Sequence, residues 1–331
     1  MQAWTPEQAS GLSGRVQEIV GTLEAELGSV IVGQKQVVRG VLTALLAGGH
    51  VLLEGVPGLG KTLLVRTLAE CLDLTYSRIQ FTPDLMPADI VGTDIINEND
   101  GMRAFAFQPG PIFAHLVLAD EINRATPRTQ SAMLEAMQEH VVTVGRTSHP
   151  LPEPFFVMAT QNPIDLQGTY PLPEAQLDRF FFKLIVEYPQ GAELKEIARR
   201  TTGNRAVTAR KVMDGATLLR LQQIVRDIPV AEEVLDYAAN LVMATHPETA
   251  TASPSARQFV RFGASPRAIQ SLVLAGKVNA ILSGRYNVSY DDLKRVALPS
   301  LRHRMVLNVE AQLQSVTADS IITRVLEEVQ P

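Results

Sequence analysis

The sequence predicts an α/β core with a parallel sheet covered on both faces, followed by an all-α domain. Three observations carry this. Short, continuous apolar runs alternate with helical stretches, the pattern of strands buried on both faces. The first run ends in a glycine-rich loop, GVPGLGKT (Gly55 to Thr62), which opens an apolar helix. After Tyr188-Pro189 no comparable strand run recurs, and the remaining apolar residues fall at helical spacing.

Taken in order, residues 1 to 28 read as a helical prelude with Ile19, Leu23 and Leu27 on one stripe. The predicted sheet strands are His50 to Leu53, Leu74 to Ile79, His115 to Ala119, Phe155 to Thr160 and Phe180 to Val186. In the helix after the loop, Leu64, Leu68, Cys71 and Leu72 share a face, which makes Cys71 a packed thiol. Two segments exceed a minimal sheet. Residues 81 to 113 read as a hairpin with a short helical piece, and 140 to 156 as a strand, a Gly-centred turn and a return. The helices beyond Pro189 are expected at about 190–202, 214–226, 231–245, 265–283, 290–301 and 317–329. The chain therefore divides into an N-terminal helical segment (1–28), an α/β core (29–188) and a helical second domain (189–331).

Composition narrows the function classes. The 331 residues are 46% hydrophobic and 20% charged, as in a globular protein with a substantial core. A net charge of −5 gives no global attraction to nucleic acid or anionic lipid. A single cysteine excludes an intramolecular disulfide and fits a reducing, cytoplasmic setting. No apolar run reaches the ~18 residues of a membrane span. The six histidines are scattered without metal-ligand spacing.

The loop carries the strongest chemistry. Gly55, Gly60, Lys61 and Thr62 fit G-x-x-x-x-G-K-[ST] at a strand-to-helix junction. Its glycines turn backbone N–H groups toward a phosphate, and the helix N-terminus adds its unpaired donors. Lys61 then reaches the β and γ phosphates, and the Thr62 hydroxyl binds Mg²⁺. Hydrolysis further needs a metal carboxylate, a group that orients water and added positive charge. LVLADE supplies Asp120 for Mg²⁺ and Glu121 as general base, an acidic helix cap being the alternative. In FFVMATQNP, Asn162 ends another apolar strand, where an amide can hold the water or sense the γ-phosphate; otherwise it is a turn residue before Pro163. In GASPRA, Ser265 caps a helix and Pro266 opens it, so Arg267 lies in a first turn that the helix dipole makes unfavourable for a cation. Either a nucleotide phosphate or a nearby carboxylate compensates it. Arg179, in EAQLDRFFF, carries no meaning by spacing alone.

These stretches together resemble an AAA+ ATPase. GVPGLGKT, LADEINRATPRTQSAMLEAMQE, VMATQNPIDLQGTYPLPEAQLDRF and GASPRA closely resemble the MoxR family, in the clade with an insert in the second core helix. The resemblance spans about residues 29 to 331. It implies that Ile31, Val32, Gly33 and Gln34 line the adenine pocket, and that the Walker A loop, Gly55, Val56, Pro57, Gly58, Leu59, Gly60, Lys61, Thr62 and Leu63, binds ATP or ADP. It further makes Asp120 and Glu121 Walker B, Asn162 sensor 1, Arg267 sensor 2 and Arg179 an arginine finger that enters a neighbouring subunit's site. Arg124 and Arg128, four apart, are expected to share a face of the helix after Glu121.

The resemblance also implies a Mg²⁺-dependent ATPase acting as a hexameric ring, a chaperone-like remodelling, maturation or metal-insertion factor for partner complexes, with von Willebrand factor A domain proteins as partners. A metal-chelatase subunit and a DNA-dependent motor are the alternatives. Against DNA, residues 81 to 113 carry only Arg103 beside several acids, and 140 to 156 only Arg146.

Overall fold

The computed structural model describes residues 6–99, 102–163, 168–203 and 208–330. Residues 164–167 of the VMATQNPIDLQG run and 204–207 of the polar linker lie outside the described residues, as does the side chain of Arg103.

The chain opens on one long helix, α1 (Pro6–Val30), then α2 (Lys35–Ala47), β1 (Val51–Glu54), α3 (Lys61–Leu72) and β2 (Tyr76–Gln80). The first excursion is α4 (Pro87–Val91) with the hairpin β3 (Gly92–Asn99) and β4 (Met102–Pro109). Strand β5 (Leu116–Asp120), a 3-10 turn (Ile122–Arg124) and α5 (Pro127–Glu139) precede the second hairpin, β6 (Val141–Val144) and β7 (Thr147–Pro150). The core closes with β8 (Phe156–Gln161), the one-turn α6 (Glu174–Leu177) and β9 (Phe182–Ile185). Beyond it lie α7 (Gly191–Thr201), α8 (Gly215–Asp227), α9 (Glu232–Met243), α10 (Pro254–Phe259), β10 (Val260–Phe262) and α11 (Arg267–Leu282). The chain ends in α12 (Tyr290–Leu301), β11 (Val306–Leu307), α13 (Val309–Leu313) and α14 (Ala318–Glu328).

The five sequence-predicted runs form one parallel sheet in the order β2-β5-β8-β1-β9. Because side chains alternate along a strand, each run feeds two cores. Val51, Leu53, Leu116, Leu118, Phe156 and Met158 face α1, α2, α3 and the C-terminal helices. Leu52, Val117, Ala119, Val157 and Ala159 face α5 and the base of the first excursion. Every one of these side chains is buried, which is why the runs are continuous rather than alternating.

The structure refines several expectations. Helix α1 does not stop at residue 28, and its buried stripe is Val16, Val20, Leu23 and Leu27, with Ile19 only partly covered. That stripe packs on α2, α3 and α11, so the prelude shares the core of the sheet and the lid. The C-terminal part is helical but not wholly so: β10 pairs antiparallel with β11. Arg124 and Arg128 do not share a helix. Pro127 forces Thr126 out of helical geometry (φ −60°, ψ 154°), leaving Arg124 in the 3-10 turn and Arg128 in α5.

Candidate nucleotide site

Parallel strands present their carboxyl ends on one edge, and the strand order places the ends of β5, β8 and β1 side by side. The loop after β1, the Asp-Glu pair after β5 and Asn162 after β8 therefore converge.

In the loop the glycines have different jobs. Gly58 and Gly60 take φ of 84° and 76°, and a Cβ at either would meet nothing within 4 Å, so backbone freedom is what these positions require. At Gly55 a Cβ would lie 2.8 Å from the Val186 carbonyl oxygen, so there the requirement is close approach of β1 to the chain leaving β9. Val56 is half-buried, Pro57 exposed and Leu59 buried, which leaves an open rim over an anchored base. Gly60 caps α3 without a side-chain acceptor, so the first N–H groups of Lys61, Thr62 and Leu63 stay available to an anion. Lys61 Nζ donates to the Gly55 carbonyl at 2.6 Å. Burial pushes the Lys61 ammonium below the usual lysine range, and the charges of Asp120 and Glu121 oppose that.

Asp120 and Glu121 are held by side chains from three elements. Arg78 on β2 donates to Asp120 Oδ2 from Nε (3.0 Å) and Nη2 (2.7 Å). Thr160 on β8 donates its hydroxyl to Asp120 Oδ1 at 2.7 Å and accepts the Glu121 N–H at 2.8 Å. Glu121 is bent into the left-handed region (φ 57°), costly for a residue with a side chain. Its Oε2 accepts from Gln80 Nε2 and Arg124 Nη1, both at 3.0 Å. Sequence reasoning missed Arg78, Gln80 and Thr160. The available signal was parity: β2 pairs Gln80 with Asp120 and Arg78 with Leu118, so the two polar β2 residues share one face.

Asn162 is buried at the sheet edge, following Gln161, whose side chain donates to Glu54. The adenine-lining segment of the resemblance sits at the turn into α2, with Gly33 and Gln34 at φ 69° and 52° and Ile31 buried. Gln34 Nε2 donates to the Leu59 carbonyl at 2.7 Å, tying this turn to the phosphate loop. From the helical part, Glu193 at the start of α7 presses on it: a Cβ at Gly33 would lie 2.2 Å from Glu193 Oε1.

The residues fit a magnesium nucleotide. Thr62 and Asp120 offer two hard oxygen ligands, a small set that suits Mg²⁺, which keeps waters and shares substrate phosphates.

Arg179 and Arg267 are not part of this convergence. Together they line a cavity of about 230 Å³ with Gly48, Gly49 and His50, which lead into β1, whereas the phosphate loop leaves it. The strand between spans about 13 Å at 3.3 Å per residue. Arg179 Nη1 donates to the Leu134 carbonyl at 2.9 Å. Arg267, half exposed, approaches Asp178 Oδ2 at 3.9 Å and donates to Gln138 Oε1 at 3.3 Å. Of the two compensations open to a first-turn cation, the carboxylate is the one present in the single chain. Helix α11 opens one residue later than expected, at Arg267, and its amide is capped by the Ser265 hydroxyl at 3.2 Å.

The sheet order, the loop between β1 and α3, the Asp-Glu strand end and the helical lid define a P-loop ATPase module of AAA+ type. Residues 50–182 match the family model of the ATPase family associated with various cellular activities (AAA), and 254–325 that of the AAA lid domain. Chaperone MoxR1 of Mycobacterium tuberculosis is 44% identical over 98% of this chain and 85% of its own. Protein MoxR of Paracoccus denitrificans is 31% identical over 86% of this chain and 88% of its own. A crystal structure of a candidate ATPase from Cytophaga hutchinsonii superposes with a TM-score of 0.88 at 38% identity, covering 98% of this chain and 97% of the other. The chain belongs to the MoxR family of AAA+ ATPases. No described helix is long and apolar enough to cross a membrane.

Proposed function

We propose that this chain hydrolyses MgATP in a ring, most simply a hexamer, whose active sites are each completed by a neighbouring copy. The observation that carries this is a separation across the sheet: cradle and carboxylates lie at one edge, Arg179 and Arg267 at the other. A ring apposes opposite edges of successive copies, so a head-to-tail contact supplies from outside what each site lacks.

In that site the amides of Gly58 to Leu63 and the Lys61 ammonium hold the β and γ phosphates, with the 31–34 turn against the adenine. Thr62 and Asp120 would hold Mg²⁺, which supplies charge neutralisation across the β and γ oxygens when bound. Glu121 accepts the proton of the attacking water, and Asn162 orients that water. The incoming Arg179 and Arg267 spread the charge of the transition state, a contribution of ~10³ to 10⁵ where arginine fingers have been measured. Position changes in the lid would then transmit nucleotide state to a client. As the Mycobacterium tuberculosis relative is called a chaperone, chaperone-like remodelling is the reading for this chain too, with metal insertion and a von Willebrand factor A domain partner as its narrower forms, in the cytoplasm.

Two measurements test the chemistry. Turnover per chain should rise steeply as protein is concentrated through the association range; a flat dependence contradicts a shared site. Glu121→Gln should keep ATP affinity within about twofold and lose ~10² or more in turnover, the range of a general base. Unchanged turnover removes Glu121 from that role.

A further inference from the structure

The residues on either side of Arg179 are gripped by the turn after α12, in addition to the Phe181 N–H that donates to the His50 carbonyl at 2.8 Å. Arg304, its side chain 2% exposed, donates from Nε to Asp178 Oδ1 at 3.0 Å. Its Nη2 donates to the Phe180 carbonyl at 2.7 Å and the Asp178 carbonyl at 3.4 Å, and its Nη1 to the Phe181 carbonyl at 3.3 Å and to the Ser300 carbonyl. His303 Nε2 meets the same Phe180 carbonyl at 2.9 Å. A guanidinium with all its donors engaged thus brackets Arg179 on both sides in sequence.

The other end of the network reaches α11. Asp178 Oδ1 also accepts the Ser265 hydroxyl at 2.6 Å, Ser265 caps the Arg267 amide, and Asp178 Oδ2 faces the Arg267 guanidinium. Burial lowers the Arg304 pKa to about 10, the Asp178 charge opposing this, so the guanidinium stays charged at neutral pH. A buried charge is tolerated only with a partner and satisfied donors, and this one has both. Its geometry is therefore stiff, which is what a group that must place two others requires.

We propose that Asp178 and Arg304 are positioning residues: a buried clamp between core and lid that fixes Arg179 and Arg267 relative to each other, so that both arginines reach the neighbour's phosphates as one rigid unit. The inference rests on the ring reading and adds to it that the two arginines cannot move independently. Lid displacement then carries Arg179 with it.

The test is a double-mutant cycle on ATP turnover with Asp178→Asn, which keeps the shape of the side chain and removes its charge, and Arg179→Ala. Asp178→Asn is expected to lower kcat about tenfold or more, as misplacement of a transition-state group does. KM for ATP should stay within about twofold, since the chain's own phosphate loop is untouched. The combined variant should turn over about as slowly as Arg179→Ala alone, not by the product of the two losses. Ser265→Ala, which removes the hydroxyl that donates to Asp178 and caps the Arg267 amide, should follow the same pattern at about threefold, and serves if Asp178→Asn does not fold. The clamp is overturned if a folded Asp178→Asn keeps its kcat, if the losses multiply as independent effects, or if KM rises in step with the fall in kcat. If Arg179→Ala alone keeps full turnover, the ring reading falls and takes the clamp with it; a loss there without the expected cycle overturns the clamp only.

Discussion

His50 shows how a single side chain is committed by its surroundings. It sits at the mouth of β1, accepts the Val157 N–H at Nδ1 (3.1 Å) and meets the Met137 carbonyl at Nε2 (3.0 Å), so only the neutral Nε2–H ring satisfies both. Burial lowers its pKa from 6.5 to about 4. The unfolded chain therefore takes up a proton first, and stability present above pH 6.5 is lost as the pH falls toward 4. Between pH 7 and pH 5 the loss from this group is about 2 kcal/mol, and buried His303, depressed likewise, adds to the slope. Urea unfolding at the two pH values checks it: His50→Gln should flatten the dependence, and an unaltered slope would contradict the assignment. At this scale legibility differed by residue type. Gly60, Lys61 and Thr62 were readable because a phosphate cradle needs those types at fixed spacing. Arg78 and Gln80 show only as the polar face of β2, and Arg304 was not readable, because its partners come from a distant part of the chain and nothing local marks an arginine that will be buried.

Among elements, the five strands and six longer helices were legible from continuous apolar runs and helical periodicity. The misses have physical causes. Helices α10 and α13, of 6 and 5 residues, are too short to show a period, and the three-residue β10 is too short to read as a strand without its pairing to β11. The sequence sets residues 1 to 28 apart as an N-terminal helical segment, and α1 seats its Leu23 and Leu27 in the same core as β1 and α11. Leu23→Ala should therefore cost about 2–5 kcal/mol, the range for a buried leucine. Denaturant unfolding measures it, and a change under about 0.5 kcal/mol, as at a surface position, would show that α1 is not part of the cooperative unit. The two segments that exceed a minimal sheet meet each other: Phe107 of β4 stacks on His149 of β7 with ring centroids 3.8 Å apart.

For the whole molecule the decisive fact is the distribution of charge chemistry over the sheet. The phosphate loop, Asp120, Glu121 and Asn162 gather at the carboxyl ends of the strands, while Arg179 and Arg267 gather where β1 begins. The sequence resemblance already implied an arginine delivered to a neighbour. That Arg267 lies beside Arg179 rather than over its own chain's cradle was not readable, because it depends on which face of the core the lid packs against. The most direct measurement of the shared site is turnover in a mixture of two inactive proteins, Arg179→Ala and Lys61→Ala. One keeps its cradle and lacks the finger; the other keeps the finger and lacks the cradle. If each site is built from two copies, mixing restores part of the parent turnover at contacts where an intact finger meets an intact cradle. No recovery at any ratio, with both proteins folded and associating, would contradict it.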